Sequence, residues 1–171
     1  KIRKAEDLET VKSMGFRGEA LASIAAIAKV EMISKKEGTD VAHKIVVEGG
    51  KTLEFCEAAR SVGTTITVQN LFYNTPARLK HLSSPYAELS NVVEYVNKMA
   101  LSYPKIKFRL TNDEKELLNT DGSGNLLKVI KSIYGLDITK KMLEVKTSND
   151  DYEITGYISM PEVTRSNKNH I

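Results

Sequence analysis

Residues 15–24 join a loop containing two glycines to the start of a helix-forming run. Gly15 and Gly18 can adopt positive φ angles, which lets the backbone approach a ligand closely. The N–H groups at a helix N-terminus attract anions, and Arg17 adds a fixed positive charge. These residue types could form a phosphate site. On spacing alone, however, the structural alternative is favoured, in which Gly18 caps the helix while Glu19 complements its dipole, with no ligand bound.

A second block of residues, 63–80, combines a polar strand with the start of a helix. It begins Gly-Thr-Thr-Ile-Thr-Val at Gly63 and continues from Leu71 as Leu-Phe-Tyr-Asn-Thr-Pro-Ala-Arg-Leu-Lys. Thr75 followed by Pro76 is typical of a helix start, because threonine is a good cap and proline is tolerated in the first turn. The sequence therefore predicts a helix that begins at Thr75.

Together the two blocks resemble the MutL family of DNA mismatch repair proteins, which belongs to the GHKL superfamily of ATPases. The stretch Gly-Phe-Arg-Gly-Glu-Ala-Leu at residues 15–21 is similar to the third ATP-binding motif of the family, and residues 63–80 are similar to the next motif. Gyrase, chaperones and histidine kinases of the superfamily share the fold but not these two stretches. The resemblance continues, more loosely, over essentially the whole chain.

The resemblance implies a role for five residues in binding ATP. Gly15, Phe16, Arg17 and Gly18 would lie in a lid that closes over the nucleotide, with main-chain groups near the phosphates. Thr64 matches the family's threonine at the adenine end. The resemblance also implies that the full-length protein uses ATP and magnesium.

Some of the family's functional residues have no match in this chain. The general-base glutamate, the magnesium-binding asparagine and the aspartate that reads adenine come from motifs upstream of the lid, and a phosphate-sensing lysine comes from farther downstream. We therefore expect no catalytic residue in this segment. By itself the segment should bind no cofactor and hydrolyse no ATP.

Composition is compatible with this resemblance but does not identify a function. The 171 residues carry a net charge of +3 and are 41% hydrophobic, which is enough to form a sizeable core. Basic and acidic residues are interspersed, so the charge does not predict nucleic-acid binding. Cys56 is the single cysteine and is expected to be a small core residue. The three histidines lack metal-ligand spacing, so no metal site is predicted.

The hydrophobic pattern predicts an α+β fold in which helices cover one face of an antiparallel sheet. We expect helices at residues 5–14 and 19–28, the second buried because it is apolar nearly all round. Four strands at residues 30–34, 42–47, 52–56 and 64–71 should form an antiparallel meander. A long helix over residues 86–103 should pack on this sheet, to which residues 105–111 and 116–119 would add two strands.

Residues 121–125, Asp-Gly-Ser-Gly-Asn, form the best candidate for a linker. The predicted domains are then residues 1–120, the C-terminal part of an incomplete GHKL helix/sheet sandwich, and residues 126–171, the beginning of a second domain. The second domain should contain a helix at residues 126–134 and strands at residues 142–145 and 152–160. In the family it resembles a ribosomal-protein α/β module. Arg165 and Lys168, in a polar and basic stretch, are candidate DNA contacts, although such loops are more often only solvated.

The resemblance implies a mismatch repair ATPase that binds ATP, closes a lid and dimerises through its N-terminal region. Its partners would be DNA, a second copy of itself and the mismatch-recognition protein MutS. It would act in the cytoplasm near the bacterial nucleoid, or in the nucleus of a eukaryote. Two alternatives remain open: another GHKL ATPase, such as a topoisomerase subunit or a chaperone, and a non-catalytic DNA-binding scaffold with the same fold.

Overall fold

A computed structural model of the chain describes residues 18–164. The chain divides into two compact units between Leu82 and Ser83, and each unit has its own hydrophobic cluster. Helices and antiparallel sheets occur in both, which confirms the α+β class. The helix predicted at residues 5–14 lies outside the described residues.

Within residues 18–82, the first unit consists of two helices and a four-stranded antiparallel sheet. In chain order its elements are α1 (Ala20–Ile27), β1 (Lys29–Lys35), β2 (Ala42–Glu48), β3 (Lys51–Ala58), β4 (Gly63–Gln69) and α2 (Pro76–Leu79). The four strands and both helix starts agree with the sequence prediction to within a few residues.

The order of the strands differs from the predicted meander. The sheet runs β3-β2-β1-β4, so β4 pairs with β1 rather than with β3. This is the Greek-key order, in which the fourth strand returns to lie beside the first. The hydrophobic pattern of a strand specifies which face is buried but not which neighbour it pairs with, and for that reason the meander prediction was wrong.

Helix α1 is buried along one side only, contrary to the expectation of a fully buried helix. Ala25 and Ala28 are buried against Val30 of β1, whereas Leu21 remains 45% exposed. Because alanine has a short side chain, the contact side of α1 lies close to the sheet.

The part of the second unit that the structure describes, residues 83–164, contains three helices and two separate antiparallel hairpins. Its elements are α3 (Pro85–Ser102), β5 (Arg109–Asn112), β6 (Lys115–Asn119), α4 (Leu126–Tyr134), α5 (Leu136–Thr139), β7 (Met142–Ser148) and β8 (Glu153–Ser159). Strands β5 and β6 pair with each other and form their own sheet, rather than extending the four-stranded one. Helix α4 has the predicted bounds.

Residues 121–125 lie inside the second unit and form an ordered turn. The carboxylate of Asp121 accepts hydrogen bonds from the backbone N–H of Ser123 and from Nζ of Lys128, each 2.9 Å long. These bonds lower the pKa of Asp121, the Ser123 N–H contributing most. On either side of the turn, Leu118 and Val129 belong to one buried cluster. The compact units therefore divide at a different place from the predicted boundary, which stays a prediction about the family's domains.

Candidate functional site

The N-terminal end of α1 is where the sequence places the anion site. Gly18 has φ +75°, and a Cβ added there would meet no atom of residues 18–164 within 4 Å. Glu19 is the N-cap residue, but its side chain does not cap the helix. The helix therefore begins one residue later than the capping alternative supposed, and Gly18 belongs to the preceding loop.

The C-terminal end of α1, in contrast, is held by four hydrogen bonds from two neighbouring loops. The side-chain amide of Asn74 donates to the carbonyl oxygen of Ala26 at 2.9 Å. Backbone N–H groups satisfy the three neighbouring carbonyls, in the pairs Gly50 to Ala25, Phe72 to Ile27 and Gly49 to Ala28. Because these otherwise orphaned carbonyls all have donors, the helix is anchored at this end.

The two faces of the four-stranded sheet differ in chemistry. Alternate residues point to opposite faces, so the paired positions divide into two sets. The inner face, on which α1 packs, is mainly apolar and carries Val30, Met32, Ile45, Val47, Ile66, Val68 and Phe55. The outer face is charged and includes the ion pairs Lys29–Glu48 (3.0 Å) and Lys44–Glu54 (2.8 Å). Any apolar ligand group would therefore bind the inner face.

A cavity of about 320 Å³ lies between α1 and this inner face. Its lining consists of Leu21, Ala22 and Ala25 of the helix, Val30, Met32, Ile45 and Val47 of the sheet, and Gly50. The volume is near the lower limit of ligand pockets, which span roughly 300–1,000 Å³. Such walls suit the flat faces of an aromatic base and offer nothing to a phosphate. A phosphate would instead require the polar groups at the N-terminal end of α1.

Thr64, near the start of β4, lies on the same inner face of the sheet as the cavity wall, although it does not itself line the cavity. It pairs with Ser34, and the two hydroxyl oxygens are 2.8 Å apart. Two residues farther along the strands, Met32 of the cavity wall pairs with Ile66. Two residues correspond to about 7 Å of strand. The hydroxyl pair therefore forms a polar border to an apolar wall.

Of the residues predicted for the site, Gly18 and Thr64 are described, and neither is among the residues that line the cavity. Gly18 precedes α1, and Thr64 lies on the inner face of β4. Gly15, Phe16 and Arg17, together with the candidate DNA contacts Arg165 and Lys168, lie outside the described residues. The sequence assigned no role to Ser34 or Asn74. Asn74 lies within the Asn-Thr-Pro-Ala-Arg stretch, so the resemblance already singled out its position. The pairing of Ser34 with Thr64 depends on strand register, which the sequence does not reveal.

Cys56 is not a core residue, because it is only half-buried and lies on the charged outer face. Its thiol donates a hydrogen bond to Oε1 of Glu54 at 3.2 Å, and Lys44 binds the other carboxylate oxygen. The Glu54 carboxylate raises the pKa of the Cys56 thiol, while the hydrogen bond from Lys44 lowers the pKa of Glu54. A raised pKa makes this thiol a poor nucleophile.

Residues 18–164 contain neither a metal-binding cluster nor a membrane-spanning helix. No group of three or more His, Cys, Asp or Glu side chains could hold a metal ion in this range. No helix in the same range is long and apolar enough to cross a membrane.

Comparison with known proteins identifies relatives of this chain, although no protein-family model matches it. The chain is 45% identical over all 171 residues to the DNA mismatch repair protein MutL of Streptococcus thermophilus, and equally to that of Lactococcus lactis. It spans 26% of the length of each, about a quarter of these relatives.

Solved structures show the same likeness. The ATPase domain of Aquifex aeolicus MutL, complexed with ADP, matches 85% of this chain with a TM-score of 0.69 and 28% identity. The N-terminal domain of a DNA repair protein matches 93% of this chain, with a TM-score of 0.76 and 28% identity. The chain covers 56% and 54% of those two chains, respectively. In sequence and in fold, this chain belongs to the MutL family of DNA mismatch repair proteins, of which it represents a segment.

Proposed function

We propose that the protein containing this chain is a mismatch repair ATPase, and that this segment supplies one side of its nucleotide site. The observation that carries the proposal is the cavity between α1 and the sheet, with Gly18 at the open end of the helix and the Thr64 hydroxyl at the border of its apolar wall. The ADP bound to the similar A. aeolicus domain supports a nucleotide as the ligand.

In this site the adenine would lie on the apolar inner face, with its polar edge toward Thr64. The phosphates would lie at the N-terminal end of α1, where the helix dipole and the amides of residues 15–18 favour negative charge. Arg17 would add a charge-assisted contact. Because α1 is anchored at its opposite end, the N–H groups of its own first turn would keep a fixed direction, which is what phosphoryl transfer requires of its protein.

Magnesium would accompany the nucleotide and neutralise phosphate charge. We assign no magnesium ligand and no general base to this chain, since none of its residues matches those of the family. The residues of this segment therefore bind and orient the nucleotide, and other parts of the protein would carry out the hydrolysis.

The proposal extends to the partners of the whole protein. Closure of residues 15–18 over ATP would favour dimerisation of N-terminal regions, and the dimer would engage DNA and MutS. We also propose that residues 1–120 form the C-terminal part of the ATPase domain and that residues 126–171 begin a second domain. Residues 121–125 would link the two domains.

The test is equilibrium binding of a fluorescent ATP analogue to the full-length protein. Gly18→Asn and Gly18→Ala both add a side chain, but asparagine tolerates a positive φ better than alanine does. If phosphate needs close backbone approach, both variants should bind ATP more weakly, while only Gly18→Ala loses appreciable stability. Normal affinity in both variants, with a lower melting temperature for Gly18→Ala alone, would support the structural alternative.

A further inference from the structure

The strongest unassigned feature of the inner sheet face is the contact between Ser34 and Thr64. Their hydroxyl oxygens are 2.8 Å apart at a direct pairing position of β1 and β4. We propose that Ser34 is a positioning residue, which orients the Thr64 hydroxyl toward the base of the bound nucleotide. This inference rests on the nucleotide site proposed above.

The Thr64 hydroxyl has few hydrogen-bonding valences, and Ser34 uses one of them. A threonine hydroxyl has one proton to donate and two lone pairs that accept, and its proton rotates freely unless a partner fixes it. The contact with Ser34 occupies one of these valences, whichever oxygen donates. When Thr64 is the donor, its proton is held on Ser34 and its lone pairs face the ligand, so a ligand N–H meets an acceptor with a set direction and less freedom is lost on binding.

The contact is not needed to hold the two strands together. On the outer face, Nη1 of Arg60 donates to the carbonyl oxygen of Ile33 at 2.8 Å and to Oγ1 of Thr65 at 2.9 Å. Ile33 and Thr65 form the pair adjacent to Ser34 and Thr64. Arg60 thus links the same stretch of β1 and β4 on the outer face of the sheet. A hydrogen bond between two exposed hydroxyls, in contrast, competes with water and adds little to the free energy of folding.

The location of the pair suits an adenine base in particular. Met32 and Ile45 provide an apolar wall for the face of a ring, and Ser34 lies two residues beyond Met32. Adenine presents an amino donor beside ring-nitrogen acceptors, whereas guanine presents an oxygen acceptor in place of that amino group. An oriented hydroxyl discriminates between these edges better than a rotating one, so Ser34 should contribute to the preference for ATP over GTP.

The test compares variants of the full-length protein by their affinity for fluorescent ATP and GTP analogues and by their melting temperature. Ser34→Ala should weaken ATP binding by about three- to tenfold, the effect of one neutral hydrogen bond, and should reduce the preference for ATP. Ser34→Thr keeps the hydroxyl and should restore both. Thr67→Ala, on the outer face of β4, is the matched control and should change neither.

A double variant tests whether Ser34 acts through Thr64. In a Thr64→Ala background, Ser34→Ala should cause no further loss of ATP affinity, because the group that it orients is gone. If Thr64→Ala weakens ATP binding while Ser34→Ala leaves affinity and base preference intact, the inference is wrong and the nucleotide site stands. If Ser34→Ala lowers the melting temperature and Ser34→Thr does not restore affinity, Ser34 is merely structural. A wild-type protein that binds no ATP would overturn the proposed function itself.

Discussion

The side-chain amide of Asn74 donates a 2.9 Å hydrogen bond to the carbonyl oxygen of Ala26, across 48 positions of sequence. It joins the Asn-Thr-Pro-Ala-Arg motif to the C-terminal turn of α1, whose other end follows residues 15–18, the proposed lid. The second motif of the family therefore contacts the helix that follows the first one. Asn74 serves the site indirectly, by fixing the helix that would present its amides to phosphate.

Loss of the Asn74 side chain should loosen α1. Asn74→Ala leaves the carbonyl of Ala26 without its donor, which costs about 1–2 kcal/mol. The amides of α1 should then exchange with deuterium about 5- to 30-fold faster in the full-length protein, as seen by mass spectrometry of α1 peptides. Asn91→Ala, on the exposed side of α3, is the control. Unchanged exchange in α1 would show that the other three hydrogen bonds suffice to anchor the helix.

Leu118 should be a principal stabilising residue of the second unit. It is 2% exposed and belongs to the cluster that includes Ala100 and Val129. Leu118→Ala should lower the free energy of unfolding by about 3 kcal/mol, measured by urea denaturation. Leu143→Ala, at a position that is 46% exposed, should cost less than about 1 kcal/mol. Equal losses for the two variants would contradict the assignment of the core.

Two charged neighbours, Glu54 and Lys44, should change the reactivity of Cys56 in opposite directions. The Glu54 carboxylate raises the pKa of the thiol, so Glu54→Gln should lower that pKa and increase the thiolate fraction at pH 8. Alkylation by iodoacetamide should then be faster, and its pH profile should move to lower pH. Lys44 opposes Glu54 by lowering the thiol pKa, so Lys44→Ala should slow the reaction. The same change of rate in both variants would indicate altered exposure rather than electrostatics.

Arg165 and Lys168 are proposed to contact DNA phosphates. If they do, the Arg165→Ala/Lys168→Ala variant of the full-length protein should bind duplex DNA more weakly at low salt. The slope of log affinity against log salt should decrease by about 1.8, since each phosphate contact contributes about 0.9. Arg165→Lys/Lys168→Arg preserves the charge and should leave the slope unchanged. An unaltered slope in the alanine variant would remove these residues from the DNA interface.

Local sequence predicted the elements of this protein well. The 3.6-residue periodicity of residues 126–134 predicted α4 with its observed bounds, and period-two alternation predicted the four strands of the first unit. These features depend on contacts within a few residues, and the sequence contains all the information they need. The two motifs that resemble the MutL family were recognised in the same way, from short stretches of fixed spacing, and their lid and adenine roles stay predictions.

The tertiary structure alone decided how these elements meet. The pairing of β4 with β1, and with it the contact between Ser34 and Thr64, depends on which strand edge is available when the sheet closes, and no strand encodes that locally. The anchoring of α1 by Asn74 likewise depends on a loop that returns to the helix from 48 positions away. The exposure of Leu21 has the same origin, because an apolar helix is buried only where another element packs against it.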